Sequence, residues 1–193
     1  MQVAPIVPQR KTGEVFIKSL PFAQQRLILS QEIIPAVRGE YYSYSSIFTQ
    51  EQPLYALMKC KSNKARPISA IADLGSEVNA LFQFNEDGQK ILSIKTADTL
   101  GLLGGVNSEI VFDDIWIAPT NLTSKQFMEL WVDKKEKELV SVCRKVINAH
   151  HTLVKLHKGL VVAMMISGGK YGMFLVSKVT PSLIKIEACH ILL

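Results

Sequence analysis

The sequence predicts an α+β protein built mainly from antiparallel β-sheet, with its helices in the carboxy-terminal half. Short segments rich in β-branched and aromatic residues recur before residue 120, and an Asp-Gly dipeptide separates two apolar runs near residue 87. The clearest helical spacing of apolar residues comes after residue 121. The chain has 193 residues, 48% of them hydrophobic, so it can bury one core or two small packed subdomains.

The amino-terminal part is expected to be a flexible arm followed by a mainly β region. Residues 1–12 contain prolines and show no apolar periodicity, which predicts the arm. Residues 13–120 form the β region, in which strands are expected over 13–20, 41–49 and 54–61. The segment 22–34 fits a helix or a strand equally well.

A β-hairpin is the clearest local prediction. Over residues 80–95, two apolar runs flank Asp87 and Gly88. This dipeptide favours the positive φ angles of a type I′ turn. The two runs are therefore expected to pair as antiparallel strands.

Residues 121–193 are expected to form an α+β region that packs on the β region as one unit. Thr123 and Gln126 have the spacing of a capping box, and apolar residues follow at helical spacing, which predicts a short helix. A second, long amphipathic helix is expected from about Glu136 to His157, because one apolar stripe runs along it without Pro or Gly. Three strands joined by short turns are expected after Gly159.

The cysteine count and the absence of long apolar runs indicate the compartment. Cys60, Cys143 and Cys189 are far apart, and their odd number argues against a disulfide framework or a structural zinc site. The longest apolar runs reach less than half of the roughly 20 residues that a membrane-spanning helix needs, and the start of the chain lacks a signal-peptide pattern. We therefore expect a cytoplasmic protein, peripheral at membranes at most, with no metal or other cofactor.

Charge is segregated along the chain. Residues 1–66 carry a net charge of +5, residues 67–121 carry −6, and residues 122–193 carry +6. Two basic regions flanking an acidic one favour attachment to an anionic partner, or assembly of copies in which basic and acidic regions meet. Charges that are simply solvated are the alternative interpretation.

The expected long helix carries a basic stripe. Arg144, His151, Lys155 and Lys158 follow one another at steps of three and four residues or their sum, so they would share one helix face. Such a face is either simply solvated or binds lipid headgroups or nucleic-acid phosphates, with each cation near an anionic membrane contributing about 1 kcal/mol. No aromatic residues interleave with these cations, which disfavours single-stranded nucleic acid.

Catalytic signals are weak. The stretch from Asp73 to Ser76 resembles the Asp-Thr-Gly or Asp-Ser-Gly motif of retroviral-type aspartic proteases, which act as dimers. Leu74 stands where that family has a bracing hydroxyl, so Asp73 is interpreted as a turn residue at the end of a strand over 68–72. The four histidines lack the i, i+4 spacing of a metal pair on a helix. These observations favour a protein that is not an enzyme.

The carboxy-terminal pattern resembles the platform subdomain of clathrin-adaptor appendages. The resemblance rests on Thr123 to Trp131, on the expected long helix and on the paired strands after it. It implies that Trp131 helps to form a hydrophobic pocket for short peptides, with Tyr171 and Phe174 as second walls. A core anchor is the alternative role for this tryptophan.

Three classes of function follow. A non-catalytic protein-interaction or assembly module is ranked first, recruiting peptides at a membrane-associated coat as appendages do. A basic structural protein of the viral matrix type, which self-associates and binds anionic membrane or nucleic acid, is the second class. A dimeric aspartic protease, which rests on Asp73 alone, is the third.

Overall fold

The protein forms two antiparallel sheets covered by helices. The computed structural model describes residues 39–56, 65–104, 110–149, 151–166 and 169–192. Within these ranges the strands are β1 Glu40–Thr49, β2 Leu54–Ala56, β3 Val78–Gln83, β4 Lys90–Ser93, β5 Ile115–Pro119, β6 Leu153–Lys155, β7 Val161–Ile166, β8 Lys170–Thr180 and β9 Leu183–Leu192. The helices are α1 Ile71–Leu74, α2 Ile94–Thr99, α3 Ser124–Asp133 and α4 Glu136–Lys145. Short 3₁₀ segments flank α1 and follow α4.

Sheet A has the strand order β1-β9-β8-β7-β5, and sheet B has the order β2-β3-β4-β6. Every neighbouring pair of strands is antiparallel. The expected α+β class with antiparallel sheets is therefore confirmed.

An apolar core fills the space between the two sheets. Side chains from both sheets meet there, and the rings of Phe48 and Phe82 lie 4.2 Å apart between their centroids. The hydroxyl groups of Tyr44 and Tyr55 form a buried hydrogen bond of 2.7 Å between β1 and β2. Because strand residues alternate between faces, the neighbours of these core residues point away from the space between the sheets.

The outer face of each sheet is covered by helices. Trp116, Tyr171 and Cys189 lie on the outer face of sheet A and pack with residues of α3 and α4. The outer face of sheet B packs with α1 and α2 through residues such as Ile71 and Ile94. The layers are thus α3 and α4, sheet A, sheet B, and finally α1 and α2.

The expected hairpin is present, but its turn differs from the prediction. Gln83 lies opposite Lys90, so residues 84–89 form the connecting loop. The amide of Gly88, which has a φ of 107°, donates a hydrogen bond to the carbonyl oxygen of Asn85 over 3.1 Å. A two-residue type I′ turn is not formed, because Asp87 does not share the positive φ.

The capping box that begins α3 is confirmed. The hydroxyl of Thr123 accepts from the amide of Gln126 at 3.3 Å, and the Gln126 side chain accepts from the amide of Thr123 at 2.9 Å. α3 is capped at its carboxyl end by Lys134, which has a left-handed conformation with a φ of 50°. This conformation interrupts the helical backbone between α3 and α4.

The single long helix expected over residues 136–157 is replaced by a helix and a strand. The α-helix ends at Lys145, and residues 153–155 form β6, which pairs with β4. Val154 packs between the two sheets, whereas its neighbours Leu153 and Lys155 are exposed, which is the alternation of a strand. As a strand, this segment pairs with β4 and places Val154 in the core between the two sheets.

Each sheet contains strands from both of the regions that were expected to meet at residue 120. β1 and β5, from the first region, belong to sheet A with β7, β8 and β9. β6, from the second region, completes sheet B. The expected arm over 1–12, the strand over 13–20, the segment 22–34 and the last part of the strand over 54–61 lie outside the described residues.

Candidate functional site

A surface groove lies at one end of the helical layer on sheet A, and its volume is about 320 Å³. The end of β5, the loop that follows it, the start of α3 and the end of α4 form its walls. Pockets for small ligands have volumes from about 300 Å³ upward, so this groove is at the lower end of that range. The groove is thus large enough for one or two side chains of a partner.

Hydrogen bonds fix the loop between β5 and α3. The amide and the hydroxyl of Thr120 both donate to the carbonyl oxygen of Val161, at 2.8 and 3.1 Å. The amide of Leu122 donates to the Thr120 hydroxyl at 3.2 Å. Together with the capping box at Thr123, these bonds hold the loop in one conformation and preform this wall of the groove.

The groove combines an apolar floor with a polar rim. Ala118 and Val146 are buried, and Leu122 and Val142 are half-buried. Exposed polar side chains at the rim are Asn121, Gln126 and Lys145. Lys145 makes no ion pair with another described residue and lies in the last turn of α4, where a cation also stabilises the helix dipole.

Sequence reasoning missed this groove because its residues come from three separate elements. Gln126 was identified, but only for its part in the capping box. No local pattern links the β5 end with the α4 end, which meet through the packing of α4 on sheet A. The capping box was the one available signal, since it located the start of α3 beside the groove.

The three residues expected to form a peptide pocket lie in different environments. Trp131 is half-buried against the core beneath α3 and α4, and its indole Nε1 donates to the carbonyl oxygen of Ala188 over 3.0 Å. Tyr171 is 1% exposed on the helix side of β8, and Phe174 is fully buried on the opposite face, between the sheets. The structure does not bring them together into one open pocket.

The expected basic stripe is also divided among elements. Arg144 is buried on α4, with its guanidinium carbon 5.8 Å from the centre of the Tyr171 ring. The amide of His151 donates to the carbonyl oxygen of Ile117 at 2.9 Å, and Lys155 belongs to β6. Lys158 lies in the turn before β7. These side chains do not share a helix face, because α4 ends before three of them.

Asp73, the acidic candidate from the sequence, and the neighbouring pair Asp113 and Asp114 lie in ordinary surface settings. Asp73 is exposed and lies within α1, because residues 68–74 are helical where a strand over 68–72 was expected. Asp113 forms an ion pair with Lys170 at 3.6 Å, and Asp114 pairs with Lys95. Among the described residues, no group of three or more His, Cys, Asp and Glu side chains is placed to hold a metal ion.

Buried thiol and phenol groups are held in their neutral forms. Burial raises the pKa of Cys189 to about 12, and burial together with the nearby Cys189 raises the pKa of Cys143. Burial and the neighbouring Tyr44 raise the pKa of Tyr55 well above its ordinary value. Because the thiolate is the reactive form of cysteine, these two thiols are poor nucleophiles.

Comparison with known proteins gives a likeness in fold. No protein-family model and no curated protein sequence matches the chain. Separately, no helix in the described part is long and apolar enough to cross a membrane. A crystal structure of a DUF4466 family protein from Parabacteroides merdae matches with a TM-score of 0.52 at 10% sequence identity. The match covers 81% of this chain and 54% of that chain, so this chain corresponds to about half of the solved protein and is similar to it in fold.

Proposed function

We infer that the protein is a non-catalytic interaction module that binds a short peptide segment of a partner protein in the groove between β5, α3 and α4. The observation that carries this proposal is the combination of a preformed apolar floor with one exposed cation at the rim. The class of function is the one ranked first from the sequence. The site is different, because Trp131 is engaged with the core and with Ala188.

The chemistry of the groove favours a peptide with an apolar side chain beside a carboxylate. The apolar side chain would cover Leu122 and Val142, which are half-buried and able to lose further surface to a partner. A carboxylate would pair with the Lys145 ammonium group, while Asn121 and Gln126 could bond the peptide backbone. A groove of this size accommodates only part of a peptide, so we expect weak binding, on the order of 10 to 100 μM.

Selection from a phage-displayed peptide library, followed by calorimetric titration of the enriched peptides, tests the proposal. Ala149→Trp should fill the groove, since Ala149 is exposed and lines it, and Lys145→Glu should repel the carboxylate. Each change should weaken binding at least about tenfold, or about 1.4 kcal/mol. Val132→Trp is the matched control, because Val132 is 62% exposed on α3 and does not line the groove.

Two results would contradict this function. Enriched peptides that bind Ala149→Trp and the wild type with equal affinity would place their site elsewhere. If the library yields no peptide that binds in the groove of the wild type, the groove is not a peptide-binding site. Circular dichroism of every variant should show the wild-type spectrum, so that lost binding is not lost folding.

A further inference from the structure

Two lysines face each other on neighbouring strands of sheet B. Lys90 of β4 lies directly opposite Lys155 of β6, and Gln83 of β3 lies opposite Lys90 on the other side. All three belong to the outer face of the sheet, because Ile91 and Val154, next to the lysines, point into the core between the sheets. We name Gln83, Lys90 and Lys155 the donor row.

The two lysines form the closer kind of antiparallel pair. The amide of Leu156 donates to the carbonyl oxygen of Gln89 at 2.8 Å, one residue outside the Lys90 and Lys155 pair. That pattern belongs to a non-hydrogen-bonded pair, in which the Cα atoms are about 4.5 Å apart and the side chains approach more closely. Like charges placed directly opposite each other destabilise a sheet, so this pair lowers stability unless a counter-charge is supplied.

No carboxylate within the described residues supplies that counter-charge. Lys90 and Lys155 form no ion pair there, although Glu86 and Asp87 are exposed on the adjoining loop. The Cε atom of Lys155 lies close to Gly88, where a Cβ atom would come within 3.1 Å of it. The loop therefore leaves room for this side chain through a glycine and does not neutralise it.

Sheet A contains a second pair of opposed lysines, and there the charge is compensated. Lys178 of β8 lies opposite Lys185 of β9. The ammonium group of Lys185 is 3.2 Å from a carboxylate oxygen of Glu187, two residues along the same strand. The described residues thus include a compensated lysine pair and an uncompensated one, which provides an internal comparison.

From this difference we propose that the donor row binds a phosphate-type oxyanion, either as a free phosphate ester or as a lipid headgroup. Strands lie about 4.8 Å apart, so the row presents an amide and two ammonium groups along roughly 10 Å. An oxyanion with several acceptor oxygens can contact the two lysines together and remove their mutual repulsion. The row is on the outer face of sheet B, whereas the groove borders the outer face of sheet A, so this inference does not depend on the peptide site.

The expected affinity is modest. Both lysines reach solvent, and Glu86 and Asp87 lower the positive potential nearby. We therefore expect dissociation constants of roughly 1 mM for a doubly charged anion, with weaker binding at higher salt.

Titration of the whole chain with inorganic pyrophosphate, followed by amide chemical shifts, tests the row. Lys90→Gln and Lys155→Gln should each weaken binding several-fold, and the double variant should abolish it. Lys178→Gln is the matched control and should bind like the wild type, because it removes one exposed positive charge outside the row. Equal losses in the control and in the row variants would reduce the effect to general electrostatic attraction and overturn the proposal.

Lys155→Glu separates a binding role from a structural one. A glutamate opposite Lys90 replaces repulsion with attraction, so this variant should keep or raise the melting temperature while it no longer binds pyrophosphate. Retained binding in this folded variant would refute the row as the site.

Sedimentation with vesicles distinguishes the two sources of the anion. Vesicles of phosphatidylcholine with phosphatidic acid should bind the wild type but not the double variant if the ligand is a lipid headgroup. Pyrophosphate binding that depends on the row, without vesicle binding, would identify a free phosphate ester. Absence of both would overturn the proposal.

Discussion

The indole of Trp131 on α3 is hydrogen-bonded to the carbonyl oxygen of Ala188 in β9, at 3.0 Å. A second bond joins the same helix to the sheet, because the hydroxyl of Tyr41 in β1 donates to the carbonyl oxygen of Leu130 at 2.8 Å. Both bonds connect side chains with backbone carbonyl groups across the layer boundary. They hold α3 in place on sheet A in addition to the apolar contacts beneath it.

Substitution of Trp131 should therefore destabilise the fold. Trp131→Phe removes the hydrogen bond and should lower the free energy of unfolding by about 1 kcal/mol. Trp131→Ala also removes packing and should lower it by about 2–3 kcal/mol, less than for a fully buried tryptophan. Urea unfolding followed by circular dichroism measures both values. Val132→Ala, at the exposed neighbouring position, should change the free energy by no more than about 0.5 kcal/mol.

The opposite outcome would restore the pocket implied by the appendage resemblance. If Trp131→Ala has the same midpoint of urea unfolding as the wild type but no longer binds peptides, this tryptophan acts in recognition and the core role is wrong.

Alkaline pH should weaken the fold. Burial raises the folded-state pKa of Tyr55, Cys143 and Cys189, the last to about 12, whereas unfolded tyrosine and cysteine have pKa values of about 10 and 8.5. The stabilisation is complete below the unfolded pKa values and is lost progressively as pH rises from the unfolded to the folded ones. The free energy of unfolding should fall above about pH 8.5, by up to about 1.4 kcal/mol per pH unit for each group.

Urea titrations between about pH 8 and pH 10.5 measure this slope. Cys189→Ala removes one titrating group, so it should be less stable than the wild type near pH 8 but should show a smaller slope. A wild-type free energy of unfolding that stays constant over this range would contradict the buried, neutral state of these groups.

The two buried cysteines should be protected from thiol reagents in the folded protein. Cys143 and Cys189 are fully buried, and the Cys143 thiol donates to the carbonyl oxygen of Gly172 over 3.2 Å. In a Cys60→Ser variant, Ellman's reagent should react slowly under native conditions and rapidly in concentrated urea. Immediate reaction of either thiol without denaturant would show that the core around it opens readily.

Elements specified by neighbouring residues could be predicted from the sequence. The capping box at Thr123 located the start of α3, and β7, β8 and β9 formed where short turns separated three expected strands. The segment 146–157 could not be predicted in this way. Val146 and Val154 fit a helical stripe, but Val154 also alternates with its neighbours, and the choice depends on β4, more than 60 residues earlier.

The sites were harder to predict because they depend on which elements meet. The recognition role of Trp131 was implied by the appendage resemblance, which does not separate a recognition residue from a core anchor. One signal was present in the sequence. Tyr171 and Phe174 are three positions apart on an expected strand, and an odd separation places two side chains on opposite faces. The donor row left no such signal, since the position of Lys155 opposite Lys90 requires the pairing of β6 with β4.

Lys134, which connects α3 to α4, provides the last prediction. It has a φ of 50° and is the non-glycine residue with positive φ among those described. A side chain in this left-handed conformation clashes with its own backbone, and glycine does not, so helices often end in glycine at this position. Lys134→Gly should raise the free energy of unfolding by about 0.5–1 kcal/mol, measured by urea unfolding.

Lys135→Gly is the matched control. Its φ of −74° is ordinary, so the same substitution should destabilise by adding freedom to the unfolded chain. Destabilisation by both changes would show that Lys134 contributes a favourable interaction that outweighs its backbone strain.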